Sequence, residues 1–433
     1  MSEFIGLLKS RTTSFSIYMP HINDINDWIE NELLGNPSVT AAITGFSYRG
    51  AITPSGSAQI DFNVQYDIPH SISPVFLARD AFEVTTAIAT SLRLHLKTTI
   101  IVIDNRNAFV PADDKFQLIH SCREFVGEEL QIHQQQASRS SYRSLFKNRI
   151  IVYKIETSYF DSAKDINDLS CILAEQAAGI RKACRNDAYA MLNRIMEWFR
   201  DNIEYNNANT LMDHSAVGLF KNRKAVCQGI AAYAMQLLFY CGIDARYVSG
   251  EGLGPDGWGP HGWNMVFIGN KWIHIDYTFE LNKHDSSIIN TVQEFRSEHR
   301  WDENHYSHDR SCIISNARKT LRHSILMMLP DEPCFSINGC IVDMSSAHYT
   351  CVVLSGVVYV SLLDVISIFG GCYTLKSDRL CVYVETYSYS MPLTQLVLVN
   401  NTWYTKAANL KMFNFSVRLE GRMLVIENMN CAQ

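Results

Sequence analysis

Cys227, His261 and Asp276 are the residues of this chain whose types and order suit covalent chemistry. A thiol can attack a carbonyl carbon, an imidazole can take and return its proton, and a carboxylate can hold that imidazole in one tautomer. The three follow one another at intervals of 34 and 15 residues. After Cys227, apolar or small residues recur at Ile230, Tyr233, Ala234, Leu237, Leu238 and Cys241, the spacing of a helix with a buried face, and Gly242 ends it. Cys227 therefore falls in or just before the first turn. Free backbone N–H groups and the positive end of the helix dipole there favour a thiolate, and the same N–H groups can bind an oxyanion.

The elements that must position the other two are a pair of strands. HGWNMVFI from His261 and KWIHIDYT from Lys271 flank Gly269-Asn270, a dipeptide suited to a two-residue turn with positive φ. If Ile268 faces Lys271, then Trp263 faces Asp276 and His261 faces Thr278. His261 and Asp276 then project from one face as diagonal neighbours, and a slip of one residue would part them. Taken singly, each residue has a plainer reading: a Cys at a helix start is commonly a small core residue, and a lone His or Asp on a strand is commonly structural. The ordered trio is what points to a site.

VCQG followed by a helix, then HGWN, then W-x-H-x-D-x-T, resembles the transglutaminase-like superfamily, most closely its bacterial members of papain-like fold. Asn202-Ile-Glu-Tyr205 resembles the family's approach to its cysteine, and residues 295–303, FRSEHRWDE, the tail of its domain. The resemblance implies a Cys–His–Asp triad at Cys227, His261 and Asp276. Ile230 stands where an aromatic is common and Phe279 where a Trp is common. Gln228, Tyr205, Trp263 and Trp198 are candidates for oxyanion or substrate contacts. The glycine-rich stretch 251–259 reads either as a lid over the cleft or as a stiff turn.

The chain has 433 residues, enough for two or three domains, with 47% hydrophobic and 19% charged residues, as in globular proteins. A net charge of −6 gives no footprint for nucleic acid, and no apolar run is long enough to span a bilayer. The first residues lack the pattern of a secretory signal, so a cytoplasmic location is expected, with export or the cell surface as the alternative. The twelve cysteines show no CxxC pair and read mostly as reduced core residues. His299, His305, His308 and Cys312 fit no common zinc spacing, so no metal or other cofactor is expected, and no acidic loop suggests calcium.

Three regions are expected. Residues 1–157 read as a mixed α/β module, with the polar stretch 131–143 as a solvated linker. Residues 158–330 read as the catalytic domain, entered by two helices, the first capped by Asp165 or Asn167. Residues 333–430 carry an internal repeat: Val358 to Val365 followed by Arg379 is echoed by Trp403 to Leu410 followed by Arg422, each copy reading as strand, short helix and hairpin. This repeat is similar to the copper amine oxidase N-terminal-like domain. That resemblance implies a copper-free accessory module, often on exported proteins, and contact with cell-wall or surface material.

The expectation is thus an α+β protein with a papain-like core. Its chemistry would be attack of Cys227 on a peptide or glutamine amide of a protein substrate, with the thioester resolved by water or by an amine. The rival is a catalytically silent scaffold that binds peptides or cell-wall material, distinguishable by whether Cys227 and His261 lie within bonding reach.

Overall fold

The computed structural model describes residues 2–430 apart from 20–21, 68–73, 111–114, 128–134, 207–209, 282–287, 290 and 345–349. Helix and strand are mixed throughout, and the architecture is α+β. The helix Cys227–Tyr240 lies at the centre, and from Gly229 to Leu238 every residue is buried. A helix apolar on all sides needs cover on all sides. The helices Ala163–Ala183 and Ala188–Asn202 supply part of it, burying Leu173, Ala177, Leu192, Ile195 and Phe199 in the same cluster as Ile230, Ala234, Leu237 and Leu238. The rest comes from an antiparallel sheet ordered Lys271–Ile275, Gly257–Ile268, Ala245–Gly254, His299–Arg300.

Local chemistry sets the helix starts. Ser162 caps Ala163–Ala183 by accepting from the Asp165 N–H at 3.1 Å, and Asp187 caps Ala188–Asn202 by accepting from Ala190 at 2.7 Å. The cap expected at Asp165 or Asn167 therefore lies earlier. Asn167 turns its amide outward to the backbone of Tyr373, donating to the carbonyl at 2.8 Å and accepting from the N–H at 3.0 Å, and so ties this helix to the C-terminal region.

The hairpin of the sheet has the expected register, with Ile268 opposite Lys271 and Asn264 opposite Ile275. Gly269 and Asn270 take φ of 58° and 61°, the left-handed pair that a two-residue turn of this twist requires. The glycine-rich stretch 251–259 is a second hairpin rather than a loose loop: Ala245–Gly254 pairs with Gly257–Ile268 out to Gly254 opposite Gly257.

The first and last regions are joined by hydrogen bonds. One nine-stranded sheet takes Val75–Ala78, Thr98–Asp104, Gln135–Leu145 and Ile150–Tyr159 from before the central region, Ile325–Met328 from its end and four strands from after it, with Val342 opposite Phe76 at the seam. Its outer strand, Gln135–Leu145, occupies most of the stretch expected as a linker, residues 131–134 lying outside the described ones. A mostly exposed edge strand can be polar on both faces, so it shows no alternation. The repeat forms strand, short helix and hairpin twice. Tyr359 pairs with Lys406 and Ser361 with Tyr404, and the repeat maps Tyr359 onto Tyr404, so the copies meet in a ladder symmetric about Val360 and Thr405. The first copy's hairpin, Cys372–Lys376 with Arg379–Val384, lies by the helix Ala163–Ala183. The second's, Phe415–Glu420 with Met423–Asn428, joins the large sheet. Among the described residues no helix is long and apolar enough to cross a membrane.

Candidate active site

Cys227 is the first residue of its helix, after Val226, whose side chain makes no cap. Gly229 lets the turn Leu211–His214 close on this end, for a Cβ there would lie 2.3 Å from the Asp213 carbonyl oxygen. That carbonyl accepts from the Val226 N–H at 3.1 Å. Opposite, the strand Gly257–Ile268 is pinned to the helix by Asn264, fully buried, whose amide donates to the Ala231 carbonyl at 3.1 Å. Gly262 leaves room for the Tyr247 hydroxyl, 2.2 Å from where its Cβ would be. The residues of the HGWN segment thus each have a positional task around His261.

His261 joins the trio. Its Nε2–H donates to Asp276 Oδ2 at 2.6 Å, and Cys227 lies near enough to the ring to favour its charged form. His261 and Asp276 expose only 7% and 3% of their side chains, whereas Cys227 is half-buried. Burial works against a charge on His261, but the bond to Asp276 and the nearby Cys227 outweigh it and hold the imidazolium up to about 10. Burial also opposes the Asp276 charge, and the bonds from His261 and His299 overcome it, keeping the carboxyl well below the usual carboxylate range. Its other oxygen, Oδ1, accepts from the backbone N–H groups of Thr278 and Phe279 at 2.8 and 3.3 Å.

The other candidates divide. Tyr205 reaches the site: burial, then the charge Cys227 can carry, push its phenol up. Gln228 turns away to His214, whose Nδ1 lies 2.9 Å from Oε1. Trp263 lies beneath His261 with ring centroids 5.8 Å apart, and its indole N–H donates to His274 Nδ1 at 2.8 Å, so it supports the imidazole rather than facing a substrate. Trp198 stacks on Tyr233 in the helical core. Phe279 covers both His261 and His299, with centroids at 4.8 and 4.6 Å.

His299 is the residue whose place the chain's local pattern did not disclose. Its Nε2 lies 2.9 Å from the same Asp276 Oδ2 and its Nδ1 3.2 Å from the Phe295 carbonyl oxygen. It arrives through the two-residue strand His299–Arg300, pairing with Gly252, a long-range contact without periodicity to betray it. The other members of the zinc constellation go elsewhere, His305 to Glu124 at 3.4 Å and His308 to Cys312 at 3.6 Å. Among the described residues the close group of metal-capable atoms is His261, Asp276 and His299, within 4.8 Å of one another. One ring nitrogen of each imidazole lies at hydrogen-bond length from the same carboxylate oxygen, at 2.6 and 2.9 Å.

Residues 174–277 match the family model of the transglutaminase-like superfamily, a span that holds Cys227, His261 and Asp276 and stops short of His299. No curated protein matches the chain. Among solved structures, a candidate cysteine protease from Cytophaga hutchinsonii is 18% identical over 34% of this chain and 66% of its own, with a TM-score of 0.22. A protein described as a TGase is 14% identical over 48% of this chain and 56% of its own, with a TM-score of 0.25. The chain thus spans less than two thirds of either neighbour's length, and what it carries, over residues 174–277, is a transglutaminase-like domain.

Proposed function

We propose that this chain is a thiol acyl-transfer enzyme. The observation that carries the reading is the grouping of Cys227, His261 and Asp276 at a helix start, with His261 bonded to Asp276 at 2.6 Å, the thiol half-buried beside the imidazole, and the other two groups buried. In the reaction, the Cys227 thiolate attacks the carbonyl carbon of a peptide or glutamine amide. The oxyanion forms beside the Cys227 N–H, with the Tyr205 hydroxyl near the same place as a second donor. His261 protonates the departing amine or ammonia as the C–N bond breaks, leaving a thioester and a neutral imidazole. His261 then takes a proton from water, giving a hydrolase, or from an amine, giving a cross-linking transferase. Asp276 keeps the imidazole in one tautomer throughout.

The superfamily match supports the reaction class. A silent scaffold needs no thiol beside a buried imidazole–carboxylate pair, and that juxtaposition weighs against it. The repeat's symmetric ladder supports reading the C-terminal region as an accessory module of the copper amine oxidase N-terminal-like type, without copper, that brings the enzyme to surface or cell-wall material.

Mass spectrometry of the intact chain after brief exposure to iodoacetamide tests the reading. Alkylation at Cys227 alone, well below the pH at which ordinary thiols react, lost in His261→Ala, is the expected outcome. Alkylation no faster than at the other cysteines would leave the scaffold as the better account. With reactivity established, amides screened with and without added amine separate hydrolase from transferase.

A further inference from the structure

We infer that His299 is a positioning residue of the site, a buried imidazolium that shares the Asp276 carboxylate with His261. The inference deepens the acyl-transfer reading and rests on it for its catalytic meaning, while the placement of the proton stands on geometry alone. Both ring nitrogens of His299 face oxygens that only accept: Asp276 Oδ2 at 2.9 Å and the Phe295 carbonyl at 3.2 Å. A neutral imidazole has one N–H, so either tautomer would leave a lone pair against an acceptor. Turning the ring over would set carbons against both oxygens. The ring is held where it is by Phe295, parallel at 3.9 Å, and by the edge of Trp263 at 4.9 Å, and its side chain is 2% exposed. Two protons on the ring satisfy both contacts.

The charge balance of the site points the same way. A Cys227 thiolate, a His261 imidazolium and an Asp276 carboxylate sum to one negative charge in a buried place, where an unmatched charge is costly. A cation at His299 brings the sum to zero. It stays zero when His261 has given its proton to the leaving amine, because Cys227 is then an uncharged thioester. His299 therefore keeps Asp276 compensated at the step where His261 is neutral, and it weakens the hold of Asp276 on the proton that His261 must release.

The surrounding groups are consistent with that cation. His274, on the far edge strand of the same sheet, accepts the Trp263 indole proton and is pushed down to about 3, first by burial and then by His299 and Arg296. From the preceding helix, Glu294 is engaged with its cap Thr291 and Arg296 with Glu303 at 2.9 Å. Arg300, next along the strand, lies over Trp258 at 3.8 Å and near Glu251. His261 and, behind it, Cys227 complete the set.

The experiment uses the full chain with nitrogen-15 labelled histidine. Long-range nitrogen–proton spectra from about pH 5 to about 9 show which ring nitrogens carry protons, with His299 assigned through His299→Gln. The expected result is an imidazolium at His299 through neutral pH beside a neutral His274. A neutral tautomer at His299 throughout would overturn the inference. So would a stoichiometric divalent metal whose removal by a chelator abolishes activity, for the cation opposite Asp276 would then be the metal. In parallel, the alkylation of Cys227 is followed against pH in both chains. With His299→Gln, Asp276 acts on His261 alone, and the step at which His261 loses its proton moves up by roughly one pH unit, as expected for unmasking a close opposite charge. A profile that overlays the wild type would reject the positioning role. An unreactive Cys227 in the wild type would instead reject the acyl-transfer reading and leave the spectra to decide the proton's place.

Discussion

Cys227 and Cys241 stand at opposite ends of one buried helix, and the contrast between them separates what a cysteine is from what its surroundings make of it. Cys241 caps the C-terminal end, where its N–H donates to the Leu237 carbonyl and the Gly242 N–H to that of Phe239, and its side chain is buried among Ile243 and the neighbouring helices. Burial drives its thiol up to about 12, with Cys184 adding to the shift and Arg181 opposing it. Cys227 has the N-terminal end, partial exposure, and a base delivered by a strand 34 residues further on. One helix thus presents a core thiol and a half-buried thiol beside an imidazole. The difference lies in the field of the helix end and in a partner that only the tertiary fold can supply.

The sharpest way to break the contrast is to remove that partner. In His261→Ala, iodoacetamide should no longer distinguish Cys227, and amide turnover should fall by roughly 10²–10⁴, the usual worth of a positioned general base. Asp276→Asn should reduce turnover by a similar order, about 10⁴ where the tautomer is lost. It should also destabilise the fold, because the carboxylate accepts from two imidazoles and two backbone N–H groups in a buried place. Turnover within tenfold of wild type in either variant would mean that the trio is not the machinery.

Acidity gives a second contrast, smaller in effect. His261 is held up to about 10 in the folded chain against an ordinary value of 6.5, so its contribution to stability is complete below about 6.5 and is lost as pH rises toward 10. Asp276 is held below its ordinary 3.8, so its contribution is complete above that value and fails as pH falls past it. Between these limits the site supports the fold fully. Urea midpoints measured from pH 6 to 10 should therefore decline, with a slope of up to about 1.4 kcal/mol per pH unit for one proton. Cys227→Ala takes away one of the groups that raise His261, so its decline should be shallower. Parallel curves for the two chains would show that Cys227 and His261 are not coupled.

Much of this was legible because the decisive signals are local. The Cys227 helix follows from its period, and the His261–Asp276 diagonal follows from one turn dipeptide that fixes the register. His299 was not legible as a partner of Asp276, since only the pairing of His299 with Gly252 brings it there. The glycines of the second hairpin were open to being read as mobility, but their task is close approach. A Cβ at Gly250 would lie 2.2 Å from the Arg300 carbonyl oxygen, and one at Gly252 3.0 Å from the His261 ring. The polar edge strand Gln135–Leu145 was missed because exposure on both faces removes the alternation that marks a strand. A linker would look the same.

The smallest expected effect tests the silent end of the helix. Cys241→Ala removes one buried sulfur, and a truncation of that size costs on the order of 1 kcal/mol, set by how far Ile243 and the adjacent helices close the gap. Thermal unfolding should register that cost as a drop of a few degrees or less for a chain of this size. The alkylation profile of Cys227 should not move, because neither the helix start nor the link to His261 involves Cys241. A changed profile would mean that the two ends communicate through the helix, and that the N-terminal field depends on how the C-terminal end is packed. An unchanged profile would locate the reactivity of Cys227 in its own first turn and in the strand that brings the imidazole.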